Sequence, residues 1–141
     1  MKLSFKYKQA GLWYRPIIPV TLYYKNREVT YLALIDSGAD FSIFHSDLVD
    51  ILGIDLSKLK KITFAGISKT GKPCQGSFVE LSLGVGENIV KTMVVFSDDI
   101  SDEGYGILGQ QGFFNMFRVT FDYLKRDIEV ITTKKPRKRQ N

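Results

Sequence analysis

Apolar and polar residues alternate with a period of two along most of this chain, and this pattern constrains the fold more than any other feature. Leu3, Phe5 and Tyr7 alternate with lysines near the start. Residues 18–24 and 28–36 are rich in apolar, β-branched and aromatic residues, which favour strands. Successive side chains of a β-strand point to opposite faces, so a period of two predicts half-buried strands. The sequence therefore predicts an all-β chain.

Turn residues divide these strands into hairpins. Residues 18–24 and 28–36 flank the polar turn Lys-Asn-Arg, which predicts a hairpin, and residues 118–132 are predicted to form a closing one. Residues 60–85 predict two more strands around a polar turn, with bends at Gly66, Gly71 and Gly76.

Two short helices are predicted among the strands. In the first, Ser46 would cap the helix, Leu48, Ile51 and Leu52 would form its apolar face, and Gly53 would end it. Residues 105–117 predict a short buried strand that runs into the second helix.

The positive charge is concentrated at the end of the chain. Five of the 20 basic residues lie in residues 134–141, and the remaining 15 are balanced by 15 acidic residues. We therefore expect residues 1–133 to form one globular domain and residues 134–141 a disordered basic tail. Such a tail could also bind nucleic acid or an anionic membrane, or act as an import signal. Because the rest of the chain is neutral, no nucleic-acid-binding fold is expected, although the tail leaves that partner open.

The residue types that hold metals or disulfides are sparse. Cys74 is the single cysteine and His45 the single histidine, which excludes an intrachain disulfide and a zinc quartet. The acidic residues between positions 98 and 103 have no regular ligand spacing and are interpreted as a solvated loop. No apolar run reaches the roughly 18 residues of a membrane helix, and residues 1–20 lack the apolar core of a signal peptide. We expect a cytoplasmic protein with no metal, cofactor or membrane contact.

The stretch "YLALIDSGADFSIF", residues 31–44, carries the chemistry. Asp36 closes an apolar strand and is followed by small residues, although a buried, unpartnered carboxylate is costly. Hydrolysis by carboxylates without metal requires two of them around a water, one protonated and one ionised. The chain has one Asp-Ser-Gly, so a second chain related by a two-fold axis would have to supply the other carboxylate.

The order of motifs resembles the retropepsin-like aspartic proteases, the single-domain, homodimeric relatives of pepsin. Asp36-Ser37-Gly38-Ala39 follows an apolar strand, a glycine-containing hairpin comes next, and Ile107-Leu108-Gly109 follows about seventy positions later. The resemblance runs from about Val20 to about Val130. It implies a closed all-β barrel with one or two short helices, one near the C-terminal end, that functions as a symmetric homodimer.

The resemblance also implies roles for single residues. Asp36 matches the catalytic aspartate, which with its symmetry mate activates water and protonates the leaving amide. Ser37 matches the hydroxyl residue that braces the two catalytic loops across the dimer, and Gly38 the residue whose carbonyl contacts the substrate backbone. The residues that the resemblance assigns to substrate binding are Ala39, Asp40, Gly66, Ile67, Ser68, Ile107 and Leu108.

Residues 65–76 fall where the family has its flap, a mobile hairpin that closes over the substrate. Gln110 departs from the pattern, since many retroviral members place there an arginine that pairs with the acid at the position of Asp40. The resemblance therefore does not imply that ion pair here.

We predict an aspartic endopeptidase that hydrolyses extended polypeptides between two Asp36 carboxylates, one from each subunit. One alternative is a non-catalytic dimeric module of the same fold that binds extended peptides. Another is nucleic-acid or membrane binding through the tail. Cleavage requires the Asp36 carboxylate and peptide binding alone does not, whereas tail-driven binding requires residues 134–141.

Overall fold

The computed structural model describes residues 2–65, 71–100 and 104–133. Within them the chain is almost entirely β-structure, with one helix, α1 (Asp47–Leu52), and one 3₁₀ turn (Leu56–Lys58). The strands are β1 (Lys2–Lys6), β2 (Lys8–Ala10), β3 (Trp13–Arg15), β4 (Ile17–Tyr24), β5 (Arg27–Ile35), β6 (Ile43–His45), β7 (Lys61–Phe64), β8 (Cys74–Val85), β9 (Asn88–Ser97), β10 (Gly106–Leu108), β11 (Phe117–Asp122) and β12 (Asp127–Thr132).

Six of the strands close into a barrel. They pair in the order β4-β5-β10-β6-β9-β8, and β8 pairs back onto β4, where Leu22 lies opposite Leu83. Strand β7 extends the sheet at the edge of β8. Alternate side chains such as Val20, Leu22 and Leu83 point inward and are fully buried, as the period of two predicted. The predicted closed all-β barrel is confirmed.

Both predicted hairpins are present. Strands β4 and β5 pair from Ile17–Leu34 to Tyr24–Arg27, and β11 pairs with β12. Strand β1 adds to β12, which gives a second sheet in the order β1-β12-β11. Its apolar side chains, Ile128 and Val130 among them, pack against the barrel core. Strands β2 and β3 form a separate two-stranded hairpin just before β4.

Strand β10 enters the barrel between β5 and β6, and this insertion positions the site. It runs parallel to β5, with Leu108 beside Ile35, and antiparallel to β6, with Ile107 beside Ile43. The ends of β5 and β10 therefore lie next to each other, so the loops that begin at Asp36 and Gly109 emerge side by side.

The predicted helix after β10 is wrong. Residues 112–116 form consecutive turns that lead into β11. Gly112 has a φ of +98°, a left-handed conformation that a regular helix does not contain. Its N–H donates to Asn115 Oδ1 at 3.1 Å, and its carbonyl accepts from Thr92 Oγ1 at 3.0 Å, which holds the turn against β9.

The first predicted helix is present but differs in two details. It ends at Gly53 in the left-handed conformation, as expected. Ser46 makes no capping hydrogen bond, because its hydroxyl donates to Asp98 instead. Ile51 is exposed and Val49 is buried, so the apolar face is rotated from the predicted one.

Several predictions lie outside the described residues. They concern the basic tail at 134–141, the centre of the predicted flap at 66–70, and the acidic positions 102 and 103. In the part of the chain that the structure describes, no helix is long and apolar enough to span a membrane.

Candidate active site

Asp36 is the first residue after β5, and backbone groups fix its position. Its N–H donates to the carbonyl of Leu108 at 2.9 Å, which ties it to the end of β10. The side-chain Oδ1 accepts the Gly38 N–H at 2.9 Å, and the Asp36 carbonyl accepts the Ala39 N–H at 3.1 Å. The carboxylate is therefore oriented by a tight turn of its own loop, and it is partly exposed.

The loops after β5 and β10 are joined by backbone hydrogen bonds. The N–H groups of Gln110 and Gln111 donate to the carbonyls of Ala39 and Asp40 at 2.8 and 2.9 Å. Gly109 makes this close approach possible, because a Cβ there would lie 2.3 Å from the Phe41 carbonyl oxygen. The glycine of Ile107-Leu108-Gly109 thus has a steric reason: it allows a second backbone to lie directly against the Asp36 loop.

Ser42 supports the loop from inside. It is completely buried, and its hydroxyl accepts the Gly109 N–H at 3.1 Å. Its own N–H donates to the Gln111 carbonyl at 2.8 Å. The sequence analysis did not identify this residue. A serine within the otherwise apolar run Phe41-Ser42-Ile43-Phe44 was the available signal, because buried hydroxyls need a partner.

Gln110 takes a role that the sequence could not specify. Its side-chain Nε2 donates to the Ser37 carbonyl at 3.1 Å, which adds a further tie between the two loops. Asp40, whose family counterpart often pairs with an arginine, makes no ion pair with any residue in 2–65, 71–100 and 104–133. Asp40 is exposed.

A cavity of about 470 Å³ opens beside this loop. Asp36, Gly38, Ala39, Asp40 and Ile107 line it, all of which the sequence analysis had selected. The residues that it had not selected are Phe41, Ile43, Phe64, Ala65, Ile100, Gly104 and Tyr105. They come from four separate segments that only the folded barrel brings together. The cavity is mainly apolar, with two carboxylates among its lining residues.

Three groups of predicted site residues lie elsewhere. Leu108 is fully buried in the barrel core and does not line the cavity, so its contribution is the carbonyl that accepts the Asp36 N–H. Its predicted part in substrate binding stays a prediction. Ser37 is exposed, and its hydroxyl has no hydrogen bond among the described residues. Gly66, Ile67 and Ser68 lie outside the described residues.

One arm of the predicted flap hairpin forms part of the cavity wall, through Phe64 and Ala65. Strands β7 and β8 pair from Lys61–Ser77 to Phe64–Cys74. Gly76, predicted as a bend, lies inside β8, where a Cβ would be 2.5 Å from Val95 Cγ1. Its small size therefore serves packing and not a turn.

Cys74 lies behind this wall and is completely buried. Burial raises the pKa of its thiol, and the nearby negative charge of Asp99 raises it further. A buried thiol that stays protonated is unreactive, which fits a packing role. No cluster of three or more potential metal ligands occurs in the described ranges.

Several known proteins are similar to this chain. The sequence model of the aspartyl protease family matches residues 18–111. A retropepsin-like aspartic protease from Rickettsia conorii has a TM-score of 0.60 and 17% identity, over 92% of this chain and 89% of that one. EIAV protease, solved with an inhibitor, has a TM-score of 0.49 and 20% identity, over 73% and 88%. The retroviral protease-like domain of Ddi1 from Leishmania major has a TM-score of 0.47 and 16% identity, over 67% and 71%. No curated protein matches the sequence significantly.

The family match covers more than half of the chain and includes the Asp36 loop and the β10 segment that braces it. The likeness to the Rickettsia structure extends over nearly the whole length of both chains. The chain therefore belongs to the aspartyl protease family and has the retropepsin-like fold.

Proposed function

We propose that this protein is an aspartic endopeptidase in which two copies of the chain each contribute Asp36 to one catalytic pair. One observation carries the proposal: the Asp36 carboxylate is held by the Gly38 N–H at the rim of a largely apolar cavity of about 470 Å³. A single carboxylate cannot serve as both acid and base for amide hydrolysis, so the site is complete only with a second copy. Membership of the aspartyl protease family supports this assignment.

The proposed chemistry follows from two carboxylates at close range. Both cannot comfortably be ionised, so the pair holds one proton. The ionised carboxylate takes a proton from water as the water oxygen bonds to the scissile carbonyl carbon, and the other carboxylate protonates the carbonyl oxygen. When the resulting diol collapses, the C–N bond breaks, the carboxyl group that took the water proton gives it to the nitrogen, and the other carboxylate takes a proton from a diol hydroxyl. The products are a carboxylic acid and an amine, and the pair again holds one proton.

The remaining loop residues have supporting roles in this proposal. The Ser37 hydroxyl is exposed and has no hydrogen bond among the described residues, so it is available to brace the partner's loop. The Gly38 carbonyl would bind the substrate backbone, and Ala39, Asp40 and Ile107 would contact its side chains. A peptide bound in an extended conformation would satisfy backbone groups much as an added strand does.

An exposed apolar hairpin supports the requirement for a second copy. Leu12 and Trp13, at the tip of β2–β3, are 90% and 65% exposed. The hairpin begins its return to the barrel at Pro16, whose carbonyl accepts the N–H of Ile35, the residue before Asp36. Large apolar side chains exposed together are typical of interfaces, and the base of this hairpin lies beside the end of β5, where the Asp36 loop begins.

The experiment is cleavage of an unfolded protein by the wild type and by Asp36→Asn between pH 4 and 8, with fragments identified by mass spectrometry. Asparagine keeps an oxygen that can accept the Gly38 N–H, so the variant should fold and dimerise. We expect the wild type to cut, with a bell-shaped pH profile and inhibition by a pepstatin-type compound, and the variant to be about a thousandfold slower.

Light scattering on both proteins provides the control for folding and assembly. Equal cleavage by both proteins, or a folded dimeric wild type that cuts nothing at any pH, would contradict the proposal. Peptide binding that persists in Asp36→Asn without any cleavage by the wild type would instead favour the non-catalytic peptide-binding module.

A further inference from the structure

The backbone of Gln75, near the start of β8, is held by two side chains from the end of β9. Asp99 Oδ2 accepts the Gln75 N–H at 2.8 Å, and the Ser97 hydroxyl donates to the Gln75 carbonyl at 2.5 Å. The Asp99 N–H donates to the Ser97 hydroxyl at 3.1 Å, which connects the two groups. Backbone pairing between β8 and β9 ends at Ser77 and Phe96. The side chains of Ser97 and Asp99 therefore continue the connection between the two strands beyond the last paired residues.

This clamp, formed by Ser97 and Asp99 around Gln75, lies next to the wall of the catalytic cavity. Cys74, the residue before Gln75, is completely buried in one apolar cluster with Phe64, Val95 and Ile100. Cys74 is paired across the hairpin with Phe64, and Phe64 lines the cavity. A shift of the backbone at Gln75 would therefore move Phe64 relative to Asp36.

The segment after β9, which contains Asp99, also lines the cavity directly. Ile100, the residue after Asp99, is part of the cavity wall. Gly104 and Tyr105 line it further on, and the Gly104 carbonyl accepts the hydroxyl of Tyr31 at 3.4 Å. The clamp thus connects two walls of the cavity, the β7–β8 hairpin and the segment that follows β9.

We propose that Asp99 is a positioning residue that fixes the β7–β8 hairpin, and with it Phe64, against the opposite wall of the substrate cavity. This rests on the proposed protease function, because the cavity is taken to bind the substrate. A carboxylate is suited to this role because a hydrogen bond from a backbone N–H to a charged acceptor is stronger than one to a neutral acceptor.

Asp98 provides a matched control. It is the neighbouring residue and is also an aspartate, but its carboxylate accepts the hydroxyl of Ser46 at the start of α1. Within residues 61–65 and 71–85, no group of the β7–β8 hairpin donates a hydrogen bond to it. Replacing Asp98 therefore removes one negative charge from the same segment and leaves the clamp in place.

Cys74 provides a readout that does not depend on catalysis. It is the single cysteine of the chain, and its modification by iodoacetamide requires the hairpin to separate from the cavity wall. We would measure the labelling rate and the kcat/KM for a cleaved peptide in the wild type, Asp99→Ala, Asp99→Asn and Asp98→Ala. Asp99→Asn removes the charge near the thiol but keeps an oxygen acceptor, so it separates loss of the clamp from a change in thiol ionisation.

We expect Asp99→Ala to label about tenfold faster than Asp99→Asn and to lose about tenfold in kcat/KM, with Asp98→Ala close to the wild type in both measurements. Equal labelling of Asp99→Ala and Asp99→Asn would overturn the clamp. Faster labelling with unchanged kcat/KM would overturn the positioning role. If the wild type cleaves nothing, the protease proposal fails, and the labelling rates still decide whether the clamp exists.

Discussion

The Asp36 loop and the β2–β3 hairpin are held in different ways. The loop is fixed by backbone hydrogen bonds to the segment after β10 and by the buried hydroxyl of Ser42. The hairpin forms a separate two-stranded sheet and exposes Leu12 and Trp13. On its outer side, the Arg126 guanidinium lies 4.3 Å from the Tyr14 ring centroid.

The difference fits the two requirements of the proposed dimeric protease. A catalytic carboxylate needs a fixed orientation, and backbone groups on a rigid barrel provide it with little dependence on surrounding side chains. A surface that binds a second copy needs apolar area accessible to that copy, so it must stay exposed in the single chain. Four predictions concern the rigidity and role of the Asp36 loop and the exposed surface of the β2–β3 hairpin.

Gly109→Ala should have the largest effect. A Cβ at this position would lie 2.3 Å from the carbonyl oxygen of Phe41, and neither backbone can move without breaking the hydrogen bonds between the loops. We expect the free energy of unfolding to fall by about 3 kcal/mol in urea denaturation. Gly11→Ala is the control, because Gly11 has a φ of +65° but no atom within 4 Å of an added Cβ, so only about 1 kcal/mol should be lost. Equal losses would show that the loop is no more constrained than the hairpin.

Trp13→Ala should weaken dimerisation and leave the single chain stable. The side chain is 65% exposed, so the free energy of unfolding should change by less than about 0.5 kcal/mol. If Trp13 lies in the interface, the dissociation constant in sedimentation should rise about tenfold or more. Specific activity should then fall on dilution. Ile89→Ala, at an exposed position at the start of β9, should change neither quantity. An unchanged dissociation constant for Trp13→Ala would remove the hairpin from the interface.

Asp40→Asn should change substrate preference and not the catalytic step. Its carboxylate lines the cavity and makes no ion pair within the described ranges, so it is available to a basic side chain of the substrate. We expect the preference for lysine or arginine over glutamine away from the scissile bond to fall about fivefold, with less effect at high salt. Cleavage of a mixture of peptides that differ at one position, analysed by mass spectrometry, would measure the ratio of the rates for the basic and the glutamine peptides. An unchanged ratio would mean that Asp40 does not contact that side chain.

Gln110→Ala should have the smallest effect. The Gln110 side chain donates to the Ser37 carbonyl at 3.1 Å, and we expect its loss to cost about 1 kcal/mol of unfolding free energy. Gln9→Ala is the matched change on the hairpin, since Gln9 Nε2 donates to the Gly11 carbonyl at 3.3 Å. The hydrogen bond of Gln9 is local and exposed, so its loss should change the free energy of unfolding little in thermal denaturation. A larger loss for Gln9 would contradict the view that the Asp36 loop is the more tightly held region.

The sequence predicted the local structure well where a residue's neighbours along the chain decide it. The strand-favouring residues 18–24 and 28–36 around a polar turn predicted the hairpin of β4 and β5, and Gly53 marked the end of α1. The helix expected after β10 was wrong because the bonds of Gly112 to Asn115 and Thr92 favour turns over a helix. The last of these partners is twenty residues away, and local propensity contains no information about it.

By itself, the sequence determined that the chain is β-rich and that a carboxylate follows an apolar strand in a tight, small-residue turn. These follow from the period of side chains and from the chemistry of adjacent residues. Only the tertiary structure decided that β10 inserts between β5 and β6, that Ser42 and Gln110 brace the Asp36 loop, and that Leu108 is buried away from the cavity. It also decided that Asp99 holds Gln75. These contacts join residues far apart in the chain, and their positions depend on how the closed barrel packs as a whole.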